Sequence, residues 1–227
     1  MLAEGEITVE GRLPWSSNAT LLVAVAADGE CLRAVYKPER GERPLWDFPP
    51  GLWRREIAAY RVSEALGWSI VPETIARADG PFGEGSLQLF LEDADQQSHY
   101  FTLLEDPAHH DDLRRIAVFD LLINNADRKG GHCLRTSDTR ICGIDHGLAF
   151  RTQPSLRTVI WDFGGEQLDD AWRSDLARMA EAMPDDLEDL LTRAEREALR
   201  IRARALAETE RLPYVPEDDR PYPWPLV

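Results

Sequence analysis

The chain changes character near residue 92, and that break constrains its fold more than any other feature. Before it, short strand-like runs dominate. Glu6–Leu13 alternates in part, Leu21–Ala27 is an apolar run, and Cys31–Lys37 follows the turn signal Asp28-Gly29. Residues 38–52, rich in proline and carrying Trp46 and Phe48, read as a long ordered loop. From Leu52 to Leu66, Ile57, Tyr60 and Ala65 fall on one helical stripe that Gly67 ends. Val71–Ala78 and Gly85–Glu92 read as two further strands. After residue 92, Asp111 and Asp112 are placed to cap a helix running to about Asn125, with Ile116, Val118, Phe119, Leu121, Leu122 and Ile123 on its apolar side. Two short strands follow, Cys133–Arg135 and Arg140–Asp145. From Gln167 the pattern is mostly helical, most strongly over residues 187–211. The expectation is an α+β fold of two lobes: a small β-rich lobe over 1–92 and a mainly helical lobe over 93–227.

Composition narrows the partners. With 26 Lys and Arg against 41 Asp and Glu among 227 residues, the formal charge is −15. Phosphate backbones and anionic lipid surfaces repel such a chain, so no nucleic acid and no stable membrane association is expected. The first ten residues have neither a basic nor an apolar stretch of the secretory kind, which predicts a cytoplasmic protein. Three cysteines without a C-x-x-C pattern predict neither a zinc site nor a disulfide framework. Cys133 and Cys142 flank a turn across which they can face each other, and read as reduced core residues.

Five segments carry chemistry, and their order matters more than any one alone. In AVYKP, Lys37 ends a strand and can neutralise ATP phosphates. In REIAAY, Glu56 lies beside the buried stripe of the next helix and can hold that lysine. In GSLQLFLE, Gln88, Leu89, Phe90 and Leu91 fit a linker between lobes whose backbone pairs with adenine. In NNADRKGGH, Asp127 follows a buried helix and can accept or orient a substrate hydroxyl proton, while Arg128 can pair with a carboxylate or stabilise charge. In GIDHGLAF, Asp145 ends a strand, a good place for a metal ligand that bridges phosphates. Each has a plainer reading: a surface lysine, a solvated glutamate, a core strand, a polar turn, a capping aspartate.

The series resembles the phosphatidylinositol 3- and 4-kinase superfamily over residues 15–165. It is most similar to the type II phosphatidylinositol 4-kinases and their bacterial relatives, and HipA-type toxin kinases share the plan. GSLQLFLE, the Asp-Arg pair after a buried helix, and D-x-GLAF carry the likeness. The resemblance implies a bilobal kinase-like fold with Lys37 on the α- and β-phosphates, Glu56 positioning it, Asp127 as the catalytic aspartate and Asp145 on the divalent ion. It also implies that Ser16, Ser17 and Asn18 occupy the phosphate loop, although no Gly-x-Gly is present.

One departure stands out. The family places an asparagine five residues after the catalytic aspartate, and here that position is His132. Imidazole suits softer ions than Mg²⁺, so His132 with Asp145 predicts a preference for Mn²⁺ over Mg²⁺. The alternative is a packed histidine and an impaired site. His109-His110 beside Asp111-Asp112 reads as a loop and helix cap rather than a metal site. The expected activity is ATP-dependent phosphotransfer to a hydroxyl of unknown identity, either a protein Ser or Thr, including the protein's own, or a soluble small molecule. The alternatives are a nucleotide-binding pseudokinase or scaffold, a phosphoinositide kinase, and transfer of AMP.

Overall fold

The computed structural model describes residues 1–13, 18–95, 97–217 and 220–227. In the first lobe, β1 (Glu6–Arg12), β2 (Leu21–Ala27) and β3 (Glu30–Pro38) precede helix α1 (Leu52–Leu66), which is followed by β4 (Thr74–Gly80) and β5 (Gly83–Leu89). The five strands form one antiparallel sheet in the order β1-β2-β3-β5-β4. Strand side chains alternate between faces. Ala34 and Tyr36 of β3 therefore join Val23, Val25 and Leu87 in the sheet's own core, and Lys37 emerges on the opposite face.

The second lobe holds the short helix α2 (Tyr100–Leu103), helix α3 (His110–Ile123), the hairpin β6 (Cys133–Arg135) and β7 (Ile141–Gly143), and helices α4 (Asp170–Glu181) and α5 (Arg193–Glu208). Its core gathers Leu113, Ile116, Phe119 and Leu122 of α3 with Leu176 of α4 and Leu199 of α5. Ala58, Ala59, Val62 and Leu66 of α1 pack into the same core. Helix α1 thus belongs to both lobes: it lies against β4 and β5 on one side and α4 on the other.

Local chemistry fixes α1 at both ends. Gly51 caps it in the left-handed region, φ 87°, with no side chain of its own to offer. Glu42 supplies the missing acceptor, taking the Gly51 and Trp53 N–H groups at 2.8 Å each. Gly67 ends the helix at φ 71°. Within α1, Arg55 pairs with Glu195 of α5 and donates to the Ala149 carbonyl at 3.1 Å, with both charges buried. Glu195 is itself fixed by a capping box with Thr192.

Three expectations need correction. Helix α3 begins at His110, one residue early, so Asp111 and Asp112 lie in its first turn rather than at its cap. There they complement the helix dipole and pair with Arg114 and Arg115. The strand expected from Val71 starts at Thr74, because Ser63 Oγ accepts the Ile70 and Val71 N–H groups at 2.8 and 3.3 Å and holds them out of the sheet. Cys133 stands opposite Gly143 and Cys142 opposite Leu134, so the two cysteines are buried and reduced but do not face each other. Among the described residues, no helix is long and apolar enough to cross a membrane.

Candidate active site

A strand end, a helix and a turn meet between the lobes. Lys37, from the end of β3, pairs with Glu56 of α1 and lies 2.8 Å from Asp145 Oδ1, just past β7. Asp145 sits in the left-handed region at φ 60°, which aspartate tolerates better than most residues, and so turns its carboxylate back toward Lys37. Gly147 lets this turn approach α1: a Cβ there would stand 3.2 Å from Glu56 Oε1. Burial opposes charge on Lys37, but Asp145 and Glu56 outweigh it and hold the ammonium above its ordinary range. Lys37 in turn holds Asp145 far below the usual carboxylate range. Burial pushes Glu56 upward, against the pull of Lys37 and of the His146 N–H at 2.9 Å.

Asp127 is set by the end of α3. Asn124 closes the helix at φ 54°, and its amide donates to the Arg151 and Gln153 carbonyls at 3.0 and 2.8 Å. Asn125 ties the next turn together. It donates to Asp120 Oδ1 at 2.9 Å and accepts the Asp127 N–H at 3.0 Å. The Asp127 carboxylate remains partly open, 23% exposed, with Lys129 Nζ 3.0 Å away. Burial raises its pKa against the counter-pull of Lys129.

Arg128 takes the carboxylate-pairing role the sequence offered it and lies too deep for the catalytic one. It is fully buried and forked onto Asp120, Nε to Oδ2 and Nη2 to Oδ1 both at 2.9 Å. It also donates to the Ile144 carbonyl at 2.9 Å, the His132 carbonyl at 3.2 Å and His146 Nε2 at 2.7 Å. Its guanidinium therefore joins α3, the 124–132 loop and the Asp145 turn from beneath, out of reach of solvent. It is a positioning residue.

His132 offers a lone pair. Its Nδ1 lies 3.0 Å from the Asp127 carbonyl, which calls for a proton there, and 3.4 Å from the Lys129 N–H, which calls for a lone pair; the shorter contact places the proton on Nδ1. Nε2 then faces Asp145 Oδ2 at 3.4 Å, acceptor against acceptor. Two ligands about 2.1 Å from one ion and at right angles stand about 3 Å apart, so the pair fits a divalent cation. No cluster of three or more His, Cys, Asp or Glu suited to a metal exists among the described residues. Phosphate oxygens and water would have to complete the shell.

Burial lowers His132 to about 4 and drives fully buried His146 well below its ordinary value. Both histidines are neutral when folded and bind protons more readily when unfolded. Stability is therefore fully present above about pH 6.5, the unfolded value, and falls as pH drops toward 4. At pH 5 the loss from His132 alone is expected to be about 2 kcal/mol relative to pH 8. Urea midpoints for the wild type and His132→Asn at the two pH values check this: the wild type should lose more, and equal losses would refute it.

The remaining sequence candidates are spread more widely. Gln88 is buried in β5, its amide donating to Thr74 Oγ1 at 2.8 Å, so its side chain does not reach a ligand. The Leu89 and Phe90 N–H groups already donate to the Glu73 and Arg33 carbonyls at 2.8 and 3.0 Å, and the Leu91 carbonyl accepts from Ala94. An adenine edge would have to use what these leave. Asn18 accepts the Arg43 N–H at 3.0 Å, which ties the 38–51 loop to the start of β2. Ser16 and Ser17 lie outside the described residues. Sequence reasoning passed over Asp120, Asn125, Lys129 and His146. A lone carboxylate on the apolar face of α3, eight residues before Arg128, was the available signal for the first.

No family profile matches the chain. Its backbone is similar to that of hydra Fam20, solved with sugar, at a TM-score of 0.58 over 88% of this chain and 83% of that one, with 16% identity. It is also similar to the Helicobacter pylori proinflammatory kinase CtkA, at a TM-score of 0.50 over 92% and 94% of the two chains, with 13% identity. These likenesses show a protein-kinase-like fold, a sheet lobe on a helical lobe, as the sequence led one to expect. In sequence, Protein Rv2133c of Mycobacterium tuberculosis is 43% identical over 262 aligned positions, covering 99% of this chain and 94% of that protein. The chain belongs to the Rv2133c family and has a protein-kinase-like fold.

Proposed function

We propose that the protein is an ATP-dependent phosphotransferase acting on a hydroxyl. The observation that carries this reading is Lys37 held between Glu56 of one lobe and Asp145 of the other, with Asp127 on the adjoining loop. A lysine so clamped presents a fixed positive charge to the α- and β-phosphates. Asp127 receives the acceptor hydroxyl proton as the oxygen forms its bond to the γ-phosphorus and ADP departs. The carboxylate's raised pKa suits it to hold that proton. Lys129, beside it, neutralises charge on the moving phosphoryl group.

A divalent ion on His132 and Asp145 would neutralise the phosphates. The facing lone pairs of these residues support the ligand reading of His132 over a merely packed one. Membership of the phosphatidylinositol 3- and 4-kinase superfamily rests on the sequence motifs alone, and the −15 charge does not favour a lipid surface.

Incubation with ATP in Mn²⁺ and in Mg²⁺, followed by ADP measurement and intact-mass spectrometry, tests the assignment. ADP should form faster in Mn²⁺, and equal or faster turnover in Mg²⁺ would remove His132 from the metal site. A nucleotide-sized gain in mass would mean AMP transfer. Nucleotide binding without turnover in either ion would select a binding module.

A further inference from the structure

The last residues of the chain lie across the catalytic loop. The Pro221 carbonyl accepts the Thr158 N–H at 2.9 Å and the Trp161 indole N–H at 3.2 Å. The Leu226 carbonyl accepts the Gly130 N–H at 2.7 Å. Pro223, between these anchors, is buried, while Trp224 is 88% exposed. Both backbone anchors are close to Asp127. Gly130 is three residues beyond it, and Thr158 pairs with Arg128, the next residue.

A peptide acceptor laid along this loop would need such backbone donors to hold it, as added strands do elsewhere. Here the chain's own segment 221–227 already takes them. That segment contains no serine or threonine, and its only hydroxyl belongs to Tyr222. The Asp127 carboxylate is left 23% exposed, with Lys129 Nζ 3.0 Å from it.

We propose that segment 221–227 is a strap that closes the peptide edge of the acceptor site, so that the acceptor is a small hydroxyl compound reaching Asp127 end-on. The inference rests on the phosphotransfer reading and deepens it. The strap acts by occupation: it leaves the nucleotide side untouched and excludes an extended chain.

The test uses the full-length protein. Pro223→Asp places a charge beneath the strap, and Pro223→Gly removes only the buried ring, in case the first variant folds poorly. Hydrogen exchange at the Gly130 and Thr158 amides reports release directly and should be at least tenfold faster in a released variant. ATP affinity in the presence of Mn²⁺ should be unchanged. Labelling of a mixture of Ser- and Thr-containing peptides should rise at least tenfold over the wild type. Equal labelling in wild type and released variant, including none in either, overturns the strap. Slow amide exchange in both variants does so as well. If the wild type binds no ATP, the phosphotransfer reading fails and the strap proposal falls with it. ATP binding with unchanged peptide labelling sinks the strap alone.

Discussion

Asp127→Asn is expected to bind ATP as the wild type does and to transfer its phosphoryl group 10² to 10⁴ times more slowly, about the range for loss of a positioned proton acceptor. The amide keeps the shape of the carboxylate and, with it, the Asn125 contact to the Asp127 backbone, but cannot take the hydroxyl proton. ADP formation and nucleotide binding measured on the same preparation separate chemistry from folding. A variant that keeps more than a tenth of wild-type turnover would exclude Asp127 as the proton acceptor.

The second large effect is on stability. Arg128→Met should lower unfolding free energy by about 3–5 kcal/mol, because Asp120 is left charged and unpaired in the core. Both side chains are fully buried, so water cannot substitute for the lost guanidinium. That loss is a large share of an ordinary domain's stability. The double variant Asp120→Leu with Arg128→Met should recover much of it, since no orphan charge remains. Urea unfolding checks both, and a single-variant loss below about 1 kcal/mol would show that the pair is not desolvated as the geometry has it.

The parts of the site that were legible in the sequence are those that local pattern encodes. A lysine at a strand end, a glutamate beside a helical stripe and an aspartate after an apolar helix all lie where the spacing put them. For Arg128 the sequence offered two roles, a carboxylate partner or charge stabilisation, because it shows that an arginine follows Asp127 but not which way it points. Its direction comes from Asp120, a carboxylate one helix away that looked like a break in an apolar face. The direction of the Gln88 side chain was illegible for the same reason. Alternation in β5 places it on the Lys37 face of the sheet, where Thr74 of the neighbouring strand receives its amide. The strap over Gly130 was illegible, since a proline-rich end gives no periodicity and its partners are 63 and 96 residues away in the chain (221 − 158 and 226 − 130).

The double anchoring of α1 bears on how fast the protein can exchange what it binds. Glu42 grips one end of the helix from the 38–51 loop, and Arg55 fastens its middle to Glu195 in the other lobe. Phe48 of the same loop lies between the Arg55 and Arg151 guanidiniums, 5.8 and 5.3 Å from its ring centre, and packs near Ala126. Swinging the lobes apart has either to break the Arg55–Glu195 pair or to carry α1 along with the second lobe. The helix that carries Glu56 is thereby tied to the second lobe as well as to the sheet, so any relative motion of the lobes has to pass through its anchors.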